Sequence, residues 1–275
     1  MNDYLITAIS AFPVGLFVGA IVGILGAGGG VVALPVLTQF YGHAPHTATM
    51  ESLLIVWVTA LIALPAKIRS GWINYRAAGA FAACSMAGAA LGRSLSTHVP
   101  APLLMWGFAA FIILTVIGLI LDGRRGRKTG AATEHSPAEQ NTPSPHIRYG
   151  YLLPAATLVG TATGLFGVGG GFIIVPTLCI CAAMSMRRAG ATSTLILWLT
   201  ASAGLLTPVI TGMIGGAAAA GGAFAGVSWP VMIGFLTGSS VAAALASPLA
   251  ASVPERYLRR GFIALLLIVG LVAVV

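Results

Sequence analysis

One glycine-broken apolar segment occurs twice in this chain, and this duplication constrains the fold more than any other feature. The sequence GILGAGGGVVALPVL at 23–37 recurs as GLFGVGGGFIIVPTL at 164–178, at a constant offset of 141 residues. The register continues, since Trp57 falls on Trp198. Helix-breaking backbone at membrane depth is tolerated only where it lines a cavity or is buried in protein. The repeat therefore indicates two related halves whose breaks share one interior.

The composition places the chain in a membrane. Of its 275 residues, 57% are hydrophobic and 7% are charged, which leaves too few polar side chains to cover a water-soluble globule. The net charge of +8 comes from Lys and Arg clusters between apolar runs. Such clusters are typical of membrane topology signals, so we expect contact with the lipid bilayer and no binding of nucleic acid.

The three cysteines lie in apolar stretches with no histidine or carboxylate at metal-ligand spacing. We therefore expect no metal and no cofactor. The first residues lack a basic n-region, carry Asp3 and run directly into the first repeat. We interpret them as the first transmembrane helix and not as a cleaved signal peptide.

Apolar runs long enough to cross about 30 Å of hydrocarbon predict eight membrane spans. They lie at 4–26, 47–68, 76–96, 101–121, 150–168, 189–212, 229–251 and 257–275. Shorter apolar pieces at 31–41 and 172–183 follow the triple glycines and predict half-helices or re-entrant segments. The expected fold class is all-α, a polytopic transmembrane bundle of two homologous four-helix halves, each with a glycine-broken first helix and a short half-helix.

A hydrophilic stretch divides the two halves. Residues 122–148 are rich in Pro, Ser, Thr and charge, and predict a linker between a first transmembrane repeat at 1–121 and a second at 149–275. Four basic residues at 124–128 place this linker in the cytoplasm. An insertion at 215–226 then shifts the repeat offset to 154 residues.

The basic residues of the second half bear on the relative orientation of the halves. With eight crossings, the basic residues at 187–188 and 256–260 fall outside the cell. If the short pieces also cross, both groups lie inside and only Arg93 lies outside, as the positive-inside rule favours. An odd number of crossings makes the halves pseudo-two-fold inverted repeats, which we expect. Parallel four-plus-four halves stay open as the alternative.

The triple glycines are the first candidate site. Consecutive glycines permit positive φ, so their N–H groups can point into a cavity as an anion nest at the positive end of a half-helix. The alternative is close helix packing, which we expect of Gly79, Gly88 and Gly92. Pro35 and Pro176 follow at matching positions and are expected to be structural. The nest candidates are Gly28, Gly29, Gly30, Gly169, Gly170 and Gly171.

These residues resemble the sulfite exporter TauE/SafE family, also called the toluene sulfonate uptake permeases. The resemblance covers nearly the whole chain and rests on the G-x-x-G-x-G-G-G-x-x-x-x-P block in both halves, on A-x-x-x-S-L at 48–53 and on A-G-A-T-S-T at 189–194. It implies a multi-pass permease of the bacterial inner (plasma) membrane. The implied substrate is a small sulfur-containing anion such as sulfite, a sulfonate or sulfoacetate, with transport coupled to protons by alternating access around the two nests.

Glu51 departs from the family pattern, because the second half has Thr192 at the matching position. It is the one carboxylate within an apolar run, and an ionisable group at membrane depth is a functional candidate by default. We interpret it as the proton-coupling candidate. The alternative is an interfacial carboxylate paired with His46 or a lipid amine. His43 and His46 predict a loop at the membrane edge.

Hydroxyl and indole groups at matching positions are further candidates. Hydroxyls can donate to substrate oxygens or join helices, and deep tryptophans can wall a pathway or pack. These candidates for lining the anion site are Ser52, Thr192, Ser193, Thr194, Trp57 and Trp198. Arg93, near a span end, predicts a side chain that snorkels to the interface, whereas Arg187 and Arg188 can attract anions to the mouth.

Four other functions are weighed against a permease for sulfur-containing anions. A gradient-insensitive anion channel, or a permease for a non-sulfur organic anion, can use the same nests. An enzyme is disfavoured, because the sequence has no nucleophile–base pair, metal cluster or paired acids. An assembly partner has no need of duplicated unwound segments. The expected partners are a small anionic substrate, protons and lipid; the sequence does not specify the oligomeric state.

Overall fold

The computed structural model describes residues 2–26, 29–96, 98–128, 149–182, 184–215, 226–249 and 253–274. Over these residues the all-α prediction is confirmed. The helices are α1 (Asn2–Leu25), α2 (Gly30–Pro35, continued as a π-helix over Val36–Phe40), α3 (Pro45–Arg69), α4 (Tyr75–Ser96), α5 (Ala101–Lys128), α6 (Tyr149–Phe166), α7 (Gly171–Cys181), α8 (Met186–Gly215), α9 (Trp229–Leu249) and α10 (Glu255–Val274).

The helix bounds follow local signals in the sequence. Gly26 and Gly167 adopt positive φ directly after α1 and α6, a conformation that favours glycine and ends a helix. Pro45 opens α3 at its first position, where a missing N–H costs nothing. The helix α5 runs to Lys128, so its last turns extend into the predicted linker, whose residues 129–148 lie outside the described part.

Three helices in the described part of the chain are long and apolar enough to cross a membrane by length and composition. They cover Pro45–Arg69, Met186–Ile210 and Trp229–Leu249. Shorter apolar helical segments cover Ile9–Leu25, Gly30–Phe40, Pro102–Gly118, Gly150–Phe166 and Gly171–Cys181. The full count of eight spans stays a prediction.

Small residues set the tightest helix contacts. A Cβ atom at Gly15 or Gly19 of α1 would overlap the backbone of α9, and one at Gly160 or Gly164 of α6 would overlap the backbone of α4. Spacing of four residues places these glycines on one helix face, where they let the backbones approach closely. The first long helix of each half therefore packs against the third long helix of the other half.

The packing interpretation fits two of the three scattered glycines. A Cβ at Gly88 would overlap Thr157 of α6, and one at Gly92 would overlap Thr161. Gly79, by contrast, has no neighbouring atom within 4 Å of a built Cβ, so close packing does not explain it.

The third helices of the two halves, α3 and α8, run antiparallel. Near their middle, the Trp57 Nε1–H donates to Ser202 Oγ at 2.7 Å. Just beyond the end of α3, the Asn74 N–H donates to the Thr192 hydroxyl near the start of α8, at 3.0 Å. Because α3 and α8 occupy the same position in the sequence repeat, antiparallel packing is the arrangement that inverted repeats require.

We define the linker side as the face of the bundle where α5 ends and α6 begins. The helix α4 runs parallel to α6, so α4 starts and α3 ends on this side, which places Lys67 and Arg69 there. Arg187 and Arg188 at the start of α8 lie on the same side. Arg93, in the last turn of α4, lies towards the opposite side. The basic residues thus divide as the inverted arrangement requires.

The glycine contact between α6 and α4 yields a stability prediction. We expect Gly160→Val to lower the free energy of unfolding by about 1–3 kcal/mol, because the added side chain overlaps the backbone at Ser85. The matched control is Gly79→Val, which enters open space and should stay within about 0.5 kcal/mol of wild type. Thermal unfolding of the two variants in detergent measures the difference. Equal stabilities would contradict this packing.

Candidate functional site

Two residues of the second triple glycine lie in the left-handed region of backbone conformation. Gly169 and Gly170 have φ of 72° and 63°, in the left-handed region, and Gly170 caps the start of α7. The Ile173 and Ile174 N–H groups both donate to the Gly170 carbonyl. The N–H groups that precede them at a helix start have no intrahelical acceptor and carry the positive end of the helix dipole.

The first triple glycine differs in conformation. Gly29 caps α2 with φ of −67°, in the right-handed region, and Gly28 lies outside the described residues. The positive φ of this segment is at Gly26, directly after α1. Over the described residues, the two copies therefore share a helix break but not the same local geometry at their middle glycines.

The two breaks meet beside the middle of α3. A Cβ at Gly30 would overlap the Val168 carbonyl and lie 2.9 Å from a Val56 methyl. A Cβ at Gly169 would lie 2.6 Å from the other Val56 methyl. Gly30 and Gly169, one from each triple glycine, thus lie against one valine near the middle of α3.

Each break is also covered by the opposite half of the chain. A Cβ at Gly26 would overlap the Gly190 carbonyl of α8, and one at Gly167 would overlap the backbone of Thr49 in α3. These two contacts are equivalent in the repeat, since Gly190 and Thr49 are 141 residues apart. The described residues of both breaks are therefore buried in protein, as backbone without helical hydrogen bonds requires in an apolar bundle.

Serine hydroxyls fasten the first break. The Ser193 hydroxyl lies 2.6 Å from the Gly26 carbonyl, which it reaches from the opposite half. The Ser52 hydroxyl donates to the Gly30 carbonyl at 3.3 Å. Both side chains are buried. In this conformation the two serines join segments of the bundle, and substrate contact by either stays a prediction.

The threonine candidates also have protein partners. The Thr194 hydroxyl donates to the Gly190 carbonyl at 3.0 Å, and the Thr192 hydroxyl accepts from the Asn74 N–H. Thr192 links the start of α8 to the turn after α3. The hydrogen bond capacity of these groups is thus partly used within the protein.

The two repeat-related tryptophans have different surroundings. The Trp57 indole N–H has a partner in Ser202, whereas the buried Trp198 Nε1–H has none among the described residues. The repeat position that corresponds to Ser202 holds Leu61, which cannot accept a hydrogen bond. Trp198 instead packs on the apolar cluster at the end of α3.

Glu51 is fully buried and paired. One carboxylate oxygen lies 2.5 Å from His43 Nδ1, and the other accepts the Ser228 N–H at 3.0 Å. The histidine partner of Glu51 is thus His43 and not His46, which the interfacial alternative had named. The loop after the π-helix turns back, with the His43 N–H on the Leu37 carbonyl, and this turn aims His43 rather than His46 at the carboxylate.

A cavity of about 400 Å³ opens next to this pair. His43 and Ser228, the two residues that hold Glu51, both line it. Its other walls are Tyr41 and the start of α9, on the side of the bundle opposite the linker. His43 therefore lies between the cavity and the buried carboxylate. This arrangement can pass a proton from the cavity to Glu51.

Arg93 is a buried cation, which the sequence argument missed. It is 9% exposed, so the predicted snorkelling is wrong. Its Nη1 donates to the Thr49 hydroxyl at 3.1 Å, and its buried Nε has no partner in the described part of the chain. The available signal was its register: Arg93 follows Ser85 and Ala89 at intervals of four, on the face of α4 that packs against the glycines of α6.

The fold and these buried polar groups define a class of protein. A bundle of apolar helices that buries two glycine-broken segments beside ionisable side chains is typical of polytopic membrane transporters. The chain belongs to the sulfite exporter TauE/SafE family, whose sequence model matches residues 11–273.

Relatives in three organisms support this assignment. A "Probable membrane transporter protein" of Xylella fastidiosa is 34% identical over 194 residues, which cover 70% of this chain and 69% of that protein. A similarly named protein of Bacillus subtilis is 28% identical over 211 residues, covering 73% and 77% of the two chains. One of Methanocaldococcus jannaschii is 26% identical over 207 residues, covering 71% of each. No solved structure matches the chain.

The Trp57–Ser202 bond can be tested by a double-mutant cycle. We expect Trp57→Phe and Ser202→Ala to show a coupling of about 1 kcal/mol in the free energy of unfolding, because either change removes the same hydrogen bond. The control cycle pairs Trp198→Phe with Ser202→Ala and should be additive. Reversible unfolding in mixed micelles gives both values. Equal coupling in the two cycles would contradict the specific bond.

Proposed function

We propose that this protein is an inner-membrane permease that carries a small sulfur-containing anion, such as sulfite, a sulfonate or sulfoacetate, together with protons. The family assignment supports transport and suggests the substrate class. The observation that carries the proposal is the meeting of the two broken segments beside Val56, because it brings helix starts from both halves to one point.

The anion site in this proposal is the space between the two triple glycines. The N–H groups at the start of α7 present the positive end of the helix dipole to the anion. The anion therefore needs no charged side chain at this point. In the present conformation Val56 and the Thr163 hydroxyl occupy the space beside Gly169 and Gly170. Anion binding therefore requires Val56 of the first half to move away from these glycines and the Thr163 side chain to turn aside.

The helix arrangement supports alternating access. The antiparallel packing of α3 and α8 fits inverted repeats, and α1 with α9 and α6 with α4 form two matching parallel pairs. Rocking of one pair against the rest would open the centre to one side and then to the other. The basic residues on the linker side support a cytoplasmic linker.

The Glu51–His43 pair is the proposed proton-coupling element. When Glu51 is ionised, it is held by His43 and by the Ser228 N–H. In this proposal a proton reaches the carboxylate through the adjacent cavity and alters its contact with His43. Arg93, which reaches Thr49 on the neighbouring turn of α3, supplies positive charge for the anion on the same side. The proton and the anion thus interact with different side chains near the same entrance of the proposed path.

Transport is tested with purified protein in proteoliposomes. We expect uptake of radiolabelled sulfite or a simple sulfonate that increases several-fold when a proton gradient is imposed, and we include sulfate as a third substrate. Protein-free liposomes are the control. Flux that ignores the gradient would favour an anion channel. A protein that carries none of these anions would overturn the sulfur-anion proposal.

Coupling is tested with Glu51→Gln. The amide keeps the shape and can still accept the Ser228 N–H, but it cannot carry a proton. We expect gradient-driven accumulation to fall to the level of liposomes without a gradient, while exchange of internal for external anion continues. The matched control is His46→Gln, which alters the neighbouring histidine and should leave accumulation unchanged. Normal accumulation by Glu51→Gln would exclude this carboxylate from coupling.

A further inference from the structure

A second polar site lies on the linker side, next to the first glycine break. A small, partly open cavity of about 20 Å³, room for one ordered water, lies between the ends of α1 and α3 and the starts of α8 and α10. Lys67, Arg187, Gly190 and Leu25 line it. Gly190 is also the residue that covers Gly26, so the cavity adjoins the break directly.

Lys67 is the most unusual group in this cavity. It is 6% exposed, and the structure gives its ammonium no hydrogen bond or ion pair with any described residue. Its side chain lies in the wall of the cavity. A side chain this buried leaves its ammonium with limited access to water and with no counter-charge among the described side chains, and a neighbouring anion would supply that charge.

Arg187 brings a second cation to the same wall. Its Nη2 donates to the Val253 carbonyl at 3.0 Å, and its guanidinium lies 5.5 Å from the centre of the Trp72 ring. These contacts fix the group in position but supply no negative charge. Its buried Nε–H has no acceptor in the part of the chain that the structure describes.

Among the described residues, the charged side chains that line the cavity are of one sign. The positive end of the α8 dipole adds to Lys67 and Arg187, since Met186, Arg187 and Gly190 all lie in its first turns. The carbonyl ends of α1 and α3 also reach the cavity and oppose part of this positive charge. No carboxylate belongs to the cavity wall. An anion is the component that would offset all three, with charge-assisted hydrogen bonds from both side chains.

We propose that this cavity is a second anion-binding site, which holds a small free oxyanion of the sulfite or sulfate type on the linker side of the transport path. The inference rests on the proposed function and extends it, because it places a cationic site between the central glycines and the linker side. The small volume of the cavity favours a free oxyanion over a lipid phosphate, because the phosphate of a lipid carries a bulky glycerol group. The side chains must turn to admit an oxyanion larger than one water.

The site has no copy in the other half of the chain. At the repeat positions of Lys67 and Arg187 stand Pro208 and His46. The opposite side instead has Arg93, whose own repeat position holds Ser247. The cation on the linker side, Lys67, lies in α3, and the cation on the opposite side, Arg93, lies in α4. The two ends of the proposed path can therefore differ in their affinity for the anion.

The test uses the fact that the chain has two lysines, Lys67 and Lys128. Purified protein in phosphatidylcholine vesicles is acetylated with a membrane-permeant amine reagent, with and without sulfite or sulfate, and the modified fraction of each lysine is measured by mass spectrometry. We expect either oxyanion to slow modification of Lys67 about tenfold when it is present well above its Kd. Lys128 corrects for any reagent that sulfite consumes. Protection that chloride gives equally, or that phosphatidylglycerol gives without added oxyanion, would overturn the proposal.

Charge variants give a readout when Lys67 reacts too slowly. Lys67→Gln should raise about tenfold the oxyanion concentration at which transport from the linker side is half-saturated, because one charge-assisted hydrogen bond is lost. The half-saturating concentration on the opposite side should stay unchanged. Arg69→Gln, an exposed cation two residues further on, is the matched control. Equal change on both sides, or none, would overturn the site.

These measurements separate the site from the transport proposal. Oxyanion protection of Lys67 in a protein that carries no anion supports the site and overturns transport. Anion transport without protection, and with Lys67→Gln equal to Arg69→Gln, overturns the site and leaves transport standing.

Discussion

The fold depends on covering two stretches of opened backbone inside an apolar bundle. Unpaired N–H and carbonyl groups are costly where no water can reach them, so each glycine break needs protein around it. Neither half supplies that cover alone: Gly26 lies against Gly190, and Gly167 lies against Thr49. The contact partners come from the opposite half in both cases. This mutual dependence explains why the first long helix of each half packs on the other half, through glycine faces that allow the backbones to approach.

The pseudo-symmetric framework carries asymmetric chemistry. Glu51 stands where the second half has Thr192, and the carboxylate is buried against His43 and the Ser228 N–H. The buried cations are likewise unmatched, with Lys67 near one break and Arg93 near the other. A strictly symmetric protein would present the same group to both sides of the membrane. These differences between the halves give the two entrances of the proposed path different charge and proton affinity.

The sequence predicted the features that depend on local pattern. Apolar runs predicted the helix positions, and the triple glycines predicted where helices break. It failed where remote segments determine the outcome. Arg93 is buried because α6 covers that face of α4, and Glu51 pairs with His43 because the loop after the π-helix folds back. Lys67 was treated as a topology signal, since nothing in its neighbourhood along the chain indicates that the start of α8 encloses it.

The inverted arrangement is tested most directly by the sides on which the linker and the end of α10 lie. Two reporters are fused separately to the linker and to the end of α10. One is a fluorescent protein that matures only in the cytoplasm, and the other is alkaline phosphatase, which is active only outside it. Because α10 starts on the linker side and runs away from it, we expect fluorescence from the linker fusion and phosphatase activity from the fusion after α10. Fluorescence at both positions would mean an even number of crossings in the second half and would contradict inverted repeats.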